Sequence, residues 1–387
     1  MTDPHHQFTV VSLFSGIGGL DLGFEWEGFR VIWANDFVTN AVKTYENNFG
    51  LTPICEDVNN LSFSDIPTSD VIIGGPPCQS FSLVGQRKKD DPRGELVFRF
   101  VDILLEKQPS AFVMENVPGM SASKINGVRL PDIIVATMRD AGYFVTKMNL
   151  LASTYLVPQL RKRLVLVGSK KARPVTPDPL MFARSRYDID PLSHDLSAKA
   201  AVGDLGACSE KGERSRYANV IPSCFARLMR SAGLADVSLH NCPRMSETDT
   251  RLVRAIPPGG NYLDIPDEIA TGRVLKFKKT GGRTTTYGRL HPDKPAYTIN
   301  TYFRRPNVGC NFHYSADRLI TPREAMRFQS IPDHFEVVFG SQDERNAFIG
   351  NAVPPLLARA IAMSVKDTFN AAPERKEIEG TAVQLTL

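Results

Sequence analysis

Four side chains in this sequence combine the types that covalent catalysis needs. Cys78 stands in GGPPCQSFS, residues 74–82, directly after the apolar run DVIIGG. It therefore falls at the carboxyl end of a buried strand, behind two prolines that stiffen the turn. Open α/β sheets bind ligands at that edge, so a thiol there is placed for chemistry rather than packing. A thiolate is both a strong nucleophile and a competent leaving group. Glu115 in MENV closes another apolar run and falls on the same edge. Enclosed, such a carboxyl has its pKa raised and can donate a proton. Arg161 and Arg163 in QLRKRLVLV alternate as in a strand and so point to one side, where a guanidinium favours the thiolate and neutralises an anion.

The elements that must position these groups are legible from residue 8 to residue 169. Short β-rich runs (FTVVSLF, RVIWAND, DVIIGG, SAFVMENV, RLVLVGS) alternate with helical stretches such as TNAVKTYENNFG, RGELVFRFVDILLEKQ and LPDIIVATMRDAGY. That alternation predicts a parallel α/β sheet. The helix over 93–105 is apolar nearly all round and reads as core. The first strand runs into the glycine turn FSGIGGLDLGF, which lets a ligand approach the backbone at a helix N-terminus. It departs from the dinucleotide pattern because Asp21 stands where the third glycine should be. A carboxylate in that first helical turn would repel a pyrophosphate and suit a cofactor with positive groups, so S-adenosylmethionine fits better than a nicotinamide dinucleotide. Asp36 closes the second strand, where an acid binds a ribose diol, and Asp57 in CEDV follows it.

From about 172 to 316 the alternation dissolves into proline, glycine, serine and arginine, which reads as an inserted second domain. Order returns with TPRE, where Thr321, Pro322 and Glu324 form a helix start, and the last helix follows GNAVPP. The 387 residues carry a net charge of +4, which permits an anionic partner. Lys276, Lys278, Lys279, Arg283 and Arg289 fall in RVLKFKKTGGRTTTYGR, within a stretch from 269 to 292 that lacks acids. This stretch is either a solvated hairpin or a phosphate-contacting surface. The six cysteines lack a CxxC pair, so reduced thiols are expected and no disulfide framework or zinc site is signalled; His240 and Cys242 lack partners at ligand spacing. No signal peptide or membrane span is read.

FSGIGG, the acid of AND, GGPPCQSFS, MENVPG, PQLRKRLVLVG, RLITPREAMRFQSIPDHF and IGNAVPPLLARAIA resemble, in that order, the motif series of the DNA (cytosine-5) methyltransferases of bacterial restriction-modification systems. The resemblance spans the chain except for about 172–290. It implies a Rossmann-like methyltransferase sheet in residues 1–171, completed by helices in 317–387, with a target-recognition domain over 172–316. It further implies Cys78, Glu115, Arg161 and Arg163 as catalytic. It implies Phe14, Gly16, Ile17, Gly18, Gly19, Asp36, Phe37, Asp57, Val58, Pro76, Leu96 and Asn351 around S-adenosylmethionine. Gln79, Ser82 and Thr298 join the five basic residues toward double-stranded DNA; Thr298 and Ile299 in PAYTINTYF match the family's threonine-aliphatic pair.

On that resemblance, thiolate addition to carbon 6 of cytosine turns carbon 5 into a nucleophile for a sulfonium methyl. A carboxyl at Glu115 meets ring nitrogen 3, and the arginines meet the base oxygen and the flanking phosphate. A base stacked in a duplex is out of reach, so the target must be flipped out. A cytoplasmic monomer with no metal is expected, bound to the nucleoid through DNA, with a cognate endonuclease acting separately. A tRNA methyltransferase of the same architecture, a nicotinamide-dependent oxidoreductase and an inactive DNA-binding regulator remain as alternatives. The long insert, Asp21 and the intact catalytic set weigh against them in turn.

Overall fold

The computed structural model describes residues 7–77, 95–116, 120, 123–209 and 214–374. Its centre is a seven-stranded sheet built from β1 (Thr9–Leu13), β2 (Arg30–Asp36), β3 (Ile54–Cys55), β4 (Val71–Gly74), β5 (Ala111–Asn116), β6 (Phe144–Leu151) and β7 (Lys162–Ser169), in the order β3-β2-β1-β4-β5-β7-β6. β4 and β5 are buried along their whole length, which is why they read as unbroken apolar runs. Their side chains alternate between two cores. Val10, Ile73 and Val113 face one, Val11, Ile72 and Phe112 the other.

The first core is closed by α1 (Gly19–Trp26) and α12 (Pro355–Asn370), through Leu20, Phe24, Leu357 and Ile361. The helices meet so closely that a Cβ on Gly23 would lie 2.4 Å from the Ala358 methyl. The apolar stretch Gln342–Asn370, long enough by composition to cross a membrane, is mostly buried inside the fold. The second core is closed by α3 (Glu95–Lys107) and α4 (Leu130–Asp140), through Val97, Phe100, Ile134 and Met138. α3 does have an outer face, since Phe98 and Leu105 are exposed.

The sheet is mixed where a parallel one was expected. β7 runs antiparallel to both β5 and β6. Only residues 152–161 join β6 to β7, too few for the crossover that a parallel neighbour requires. β6, which half-buried FVTKMNLL forms, has no counterpart among the strands expected from sequence.

The stretch 172–316 divides in two by packing. α5 (Pro179–Tyr187), α6 (Ala198–Val202) and α7 (Cys224–Met229) send Phe182, Ala201, Phe225 and Met229 into the first core. A separate small core joins Leu252, Val253 and Ile256 around α8 (Glu247–Arg254), Val274 of α9 (Gly272–Thr280), and Tyr262, Tyr287 and Phe312. α10 (Pro322–Phe328) starts as its sequence implied: the Thr321 hydroxyl accepts from the Glu324 amide, and the Glu324 carboxylate accepts from the Thr321 amide. Cys208 and Cys242 form a disulfide with Cα atoms 5.3 Å apart, contrary to the expectation of reduced thiols. Antiparallel pairing of 215–216 with 236–237 brings their segments together, a long-range contact that their scattered positions do not reveal.

Candidate active site and cofactor cleft

The carboxyl ends of β1, β2, β4 and β5 lie at one edge because the four strands are parallel neighbours in register. Leu13 pairs with Asn35 and Gly74, and Gly74 pairs with Met114. Glu115 and Asn116 therefore emerge beside the Gly75–Pro77 turn. The Asn116 amide donates to the Pro76 carbonyl at 3.0 Å, and Glu115 Oε2 would sit 3.3 Å from a Cβ on Gly75. Cys78, next in the chain, lies outside the described residues, as do Gln79 and Ser82.

Arg163 reaches the same place from the antiparallel β7. Its Nε lies 2.6 Å from Glu115 Oε1, with both side chains about nine-tenths buried, and one terminal nitrogen donates to the Lys162 carbonyl. Burial draws the guanidinium below its usual pKa, and the Glu115 charge opposes that. Glu115 is thus enclosed and at the same time half of an ion pair.

Arg161 departs further from its expected role. It is fully buried and turns away from the edge, donating to the carbonyls of Ile299 at 2.9 Å and of Gly350 and Ala352 at 2.8 and 3.3 Å. Strand alternation puts two arginines on one side only within a regular strand, and Arg161 stands between two strands, outside both.

At the first glycine turn, Phe14, Gly16 and Gly18 take left-handed φ values of 54°, 55° and 84°. Bulk at Phe14 makes that conformation costly, and the turn is tied down accordingly. The Gly16 amide donates to Asp36 Oδ2 at 2.9 Å, the Val38 amide to Asp36 Oδ1 at 2.9 Å, and the Ser15 amide to the Asn35 carbonyl. Asp36 is fixed in orientation, each oxygen retaining a lone pair for a hydroxyl. Burial pushes its carboxyl up and the amides pull it back. Phe37 beside it is 67% exposed. Asn35 donates to the Ile54 and Glu56 carbonyls, which brings exposed Asp57 and buried Val58 alongside. Ile17 and Pro76 are buried beneath the edge, and Leu96 is half-buried at the start of α3. Exposed Asn351 ends α11 (Gln342–Asn351), and the loop after it lies against Gly19, whose Cβ would fall 2.4 Å from the Val353 carbonyl oxygen.

Asp21 does not face this cleft. It is wholly buried, accepts from Tyr45 Oη at 2.9 Å, and burial raises its pKa to about 6. Its place in the first turn suggested a ligand-facing charge, but α1 turns that position toward α2 (Thr39–Phe49).

The basic stretch is likewise redistributed. Lys276, Lys278 and Lys279 lie on helix α9 rather than a hairpin, and Lys278 is held by Asp267 at 2.6 Å. Lys276, Lys279 and Arg283 are exposed. Arg289 is buried, its guanidinium shared among the carbonyls of His313, Val253 and Ile256 and the carboxylate of Asp317; it is unavailable to a base edge. Thr298 is half-buried, donating to the Leu160 carbonyl at 2.8 Å where 296–297 pairs with 159–160. His240 is taken up by Thr321 Oγ1 and the Gly206 carbonyl.

Sequence reasoning missed Gln159 and Gln329. Gln159 donates to the Phe328 carbonyl and to Gln329 Oε1 and accepts from the Ile299 amide. Gln329 donates to the Ile349 carbonyl at 2.7 Å. Their signal was present in PQLRKR and RFQS, where each glutamine directly follows an apolar residue.

The chain matches the family model of C-5 cytosine-specific DNA methylases over residues 8–367. It is 32% identical over 387 residues to the Type II methyltransferase M.FnuDI of Fusobacterium nucleatum, covering 98% of this chain and 99% of that one. It is 30% identical over 382 residues to M.NgoFVII of Neisseria gonorrhoeae, covering 97% and 91%. Among solved structures it is similar to a DNA modification methyltransferase encoded within an E. coli prophage, with TM-score 0.67, 25% identity and coverage of 94% and 100%. Similarity to S. pombe Dnmt2, with TM-score 0.57, 15% identity and coverage of 93% and 99%, speaks to the fold alone.

Proposed function

The chain belongs to the C-5 cytosine-specific DNA methylase family and is a DNA cytosine-5 methyltransferase, and from that premise we propose how its residues divide the reaction. The observation that carries the reading is the Glu115–Arg163 ion pair, set against the Gly75–Pro77 turn on the same sheet edge as Gly16 and Asp36. Cys78, which follows that turn in sequence, adds to carbon 6 of a cytosine flipped out of duplex DNA. Carbon 5 then takes the methyl group, with the donor leaving as a neutral thioether, and transfer of the carbon 5 proton to water expels the Cys78 thiolate and restores the ring. Glu115, in its protonated carboxyl form, donates to ring nitrogen 3 as electron density arrives there. Arg163 fixes Glu115 and presents positive charge toward the base oxygen.

S-adenosylmethionine, the donor this family implies, supplies an electrophilic methyl. The residues present suit it: the braced Asp36 carboxylate offers lone pairs to ribose hydroxyls, and the exposed Phe37 ring beside it offers a face to adenine. Residues 1–171 and 317–387 are read as the catalytic domain and 172–316 as the recognition domain. Within the latter, the part with its own core carries the exposed Lys276, Lys279 and Arg283 toward phosphates. The enzyme is read as a cytoplasmic monomer of a restriction-modification system, its endonuclease acting separately.

Bisulfite sequencing of DNA from a host expressing the protein tests the reading. Conversion-resistant cytosines confined to one short sequence are expected. Uniform conversion, with the protein soluble and folded, would overturn it.

A further inference from the structure

Among the described residues, Arg161 is the most heavily buried cation near the cleft, and the mechanism above leaves it without a role. Its position in the packing supplies one. One terminal nitrogen holds the Ile299 carbonyl, in the segment that presents Thr298; the other holds the carbonyls of Gly350, in the last turn of α11, and of Ala352, in the loop after it that leans on Gly19. The two segments also touch backbone to backbone, since a Cβ on Gly350 would lie 2.6 Å from the Thr301 amide nitrogen. Gln159 and Gln329 complete the joint by bonding Ile299 on one side and Ile349 on the other.

We propose that Arg161 is a positioning residue that couples the DNA-facing segment 298–301 to the cofactor-side segment 350–353, the end of α11 and the loop after it, so that DNA and the cofactor strengthen one another's binding. This rests on the functional reading above. Burial and the neighbouring Arg163 both act against the charge of Arg161, and Glu115 supports it. The terminal nitrogens exchange solvent for backbone carbonyls, and charged bonds of this kind are the stronger class, while Nε is buried without a partner. Displacing either segment alone would strip a buried cation of partners, which is costly in a way that a solvent-screened pair is not. The segments therefore keep one relative arrangement. DNA that orders 298–301 orders 350–353 with it, and the turn behind Gly16 gains a fixed wall. By linkage the effect is reciprocal.

The test measures the affinity of S-adenosylhomocysteine, which cannot be turned over, by calorimetry with and without a duplex carrying the methylated sequence. For the wild type, duplex should tighten binding by about fivefold or more, and S-adenosylhomocysteine should tighten duplex binding by the same factor. In Arg161→Met that factor should fall below about twofold, while a purely structural role would lower thermal stability and leave the factor intact. Arg161→Lys keeps the charge but lacks the planar fork, so it should restore folding more than coupling. If Arg161→Met does not fold, the comparison passes to the lysine variant, in which the factor must still fall. An unchanged factor in a folded variant, or a factor of one in the wild type, overturns the proposal. Methylation of the same duplex by the wild type, measured alongside, reports separately on the functional reading.

Discussion

Arg163 Nε lies 2.6 Å from Glu115 Oε1, and the antiparallel ladder that pairs Val165 with Glu115 is what delivers it there. Removing one partner of a buried ion pair costs about 3–5 kcal/mol, because the remaining charge stays desolvated. Glu115→Gln should therefore lower the unfolding midpoint and, separately, cut single-turnover methylation by about a hundredfold or more, the usual range for a lost proton or hydrogen-bond donor. Stopped-flow methylation beside thermal melts distinguishes the two effects. A destabilised variant with near-normal single-turnover rate would reduce Glu115 to a structural role.

Asp36→Asn tests the cofactor assignment. A charged acceptor contributes about 1.5–3 kcal/mol per hydrogen bond, so affinity for S-adenosylmethionine should fall about tenfold or more, with duplex affinity little changed. Equilibrium titration of each ligand decides it. Unaltered cofactor affinity would place the ribose elsewhere.

Asp21 predicts a pH dependence of stability. Its folded pKa of about 6 lies above the ordinary 3.8, so the unfolded chain releases this proton first as pH rises. Stability is therefore full below pH 3.8 and declines until pH passes about 6, by about 3 kcal/mol in total. Asp21→Asn retains a partner for Tyr45 and should flatten that decline in urea unfolding between pH 4 and pH 7. Parallel stability curves for variant and wild type would show that the carboxyl is ionised throughout.

Much of this arrangement was legible because strand ends are marked in sequence. The apolar runs stop at or just short of the edge, so Gly16, Asp36 and Glu115 could be placed there from sequence. The direction of β7 was not legible, since it depends on the short connection from β6 and not on the strand's own pattern. Charge misled most. Arg161, Arg289 and Asp21 read as ligand-facing because charged side chains usually avoid burial, yet each meets fixed partners that only the folded chain assembles. The Cys208–Cys242 bridge joins residues 34 apart through a pairing with no local signature.

The redistribution of the basic stretch separates two predictions. Lys276→Ala with Lys279→Ala should weaken binding to all duplexes alike and lower the salt slope by up to about 0.9 for each phosphate no longer neutralised; Lys278, occupied by Asp267, should contribute less. Arg289→Ala should instead lower stability by leaving buried carbonyls and Asp317 without their partner, while the methylated sequence stays the same. Binding across a salt series and methylation of a randomised duplex library check both. A changed target sequence in Arg289→Ala would return that residue to the DNA surface.

The covalent step at Cys78 is the central claim, and a duplex carrying 5-fluorocytosine at the target tests it most directly. Fluorine cannot leave carbon 5 as the proton does, so the thiolate cannot be released once the methyl has moved. Incubation with S-adenosylmethionine should give a denaturation-resistant adduct of one protein and one duplex, with peptide mapping placing the bond at Cys78. Cys78→Ser should bind both ligands and form none. The absence of an adduct from a wild-type preparation that methylates the unfluorinated duplex, or a bond mapped to another residue, would contradict the account.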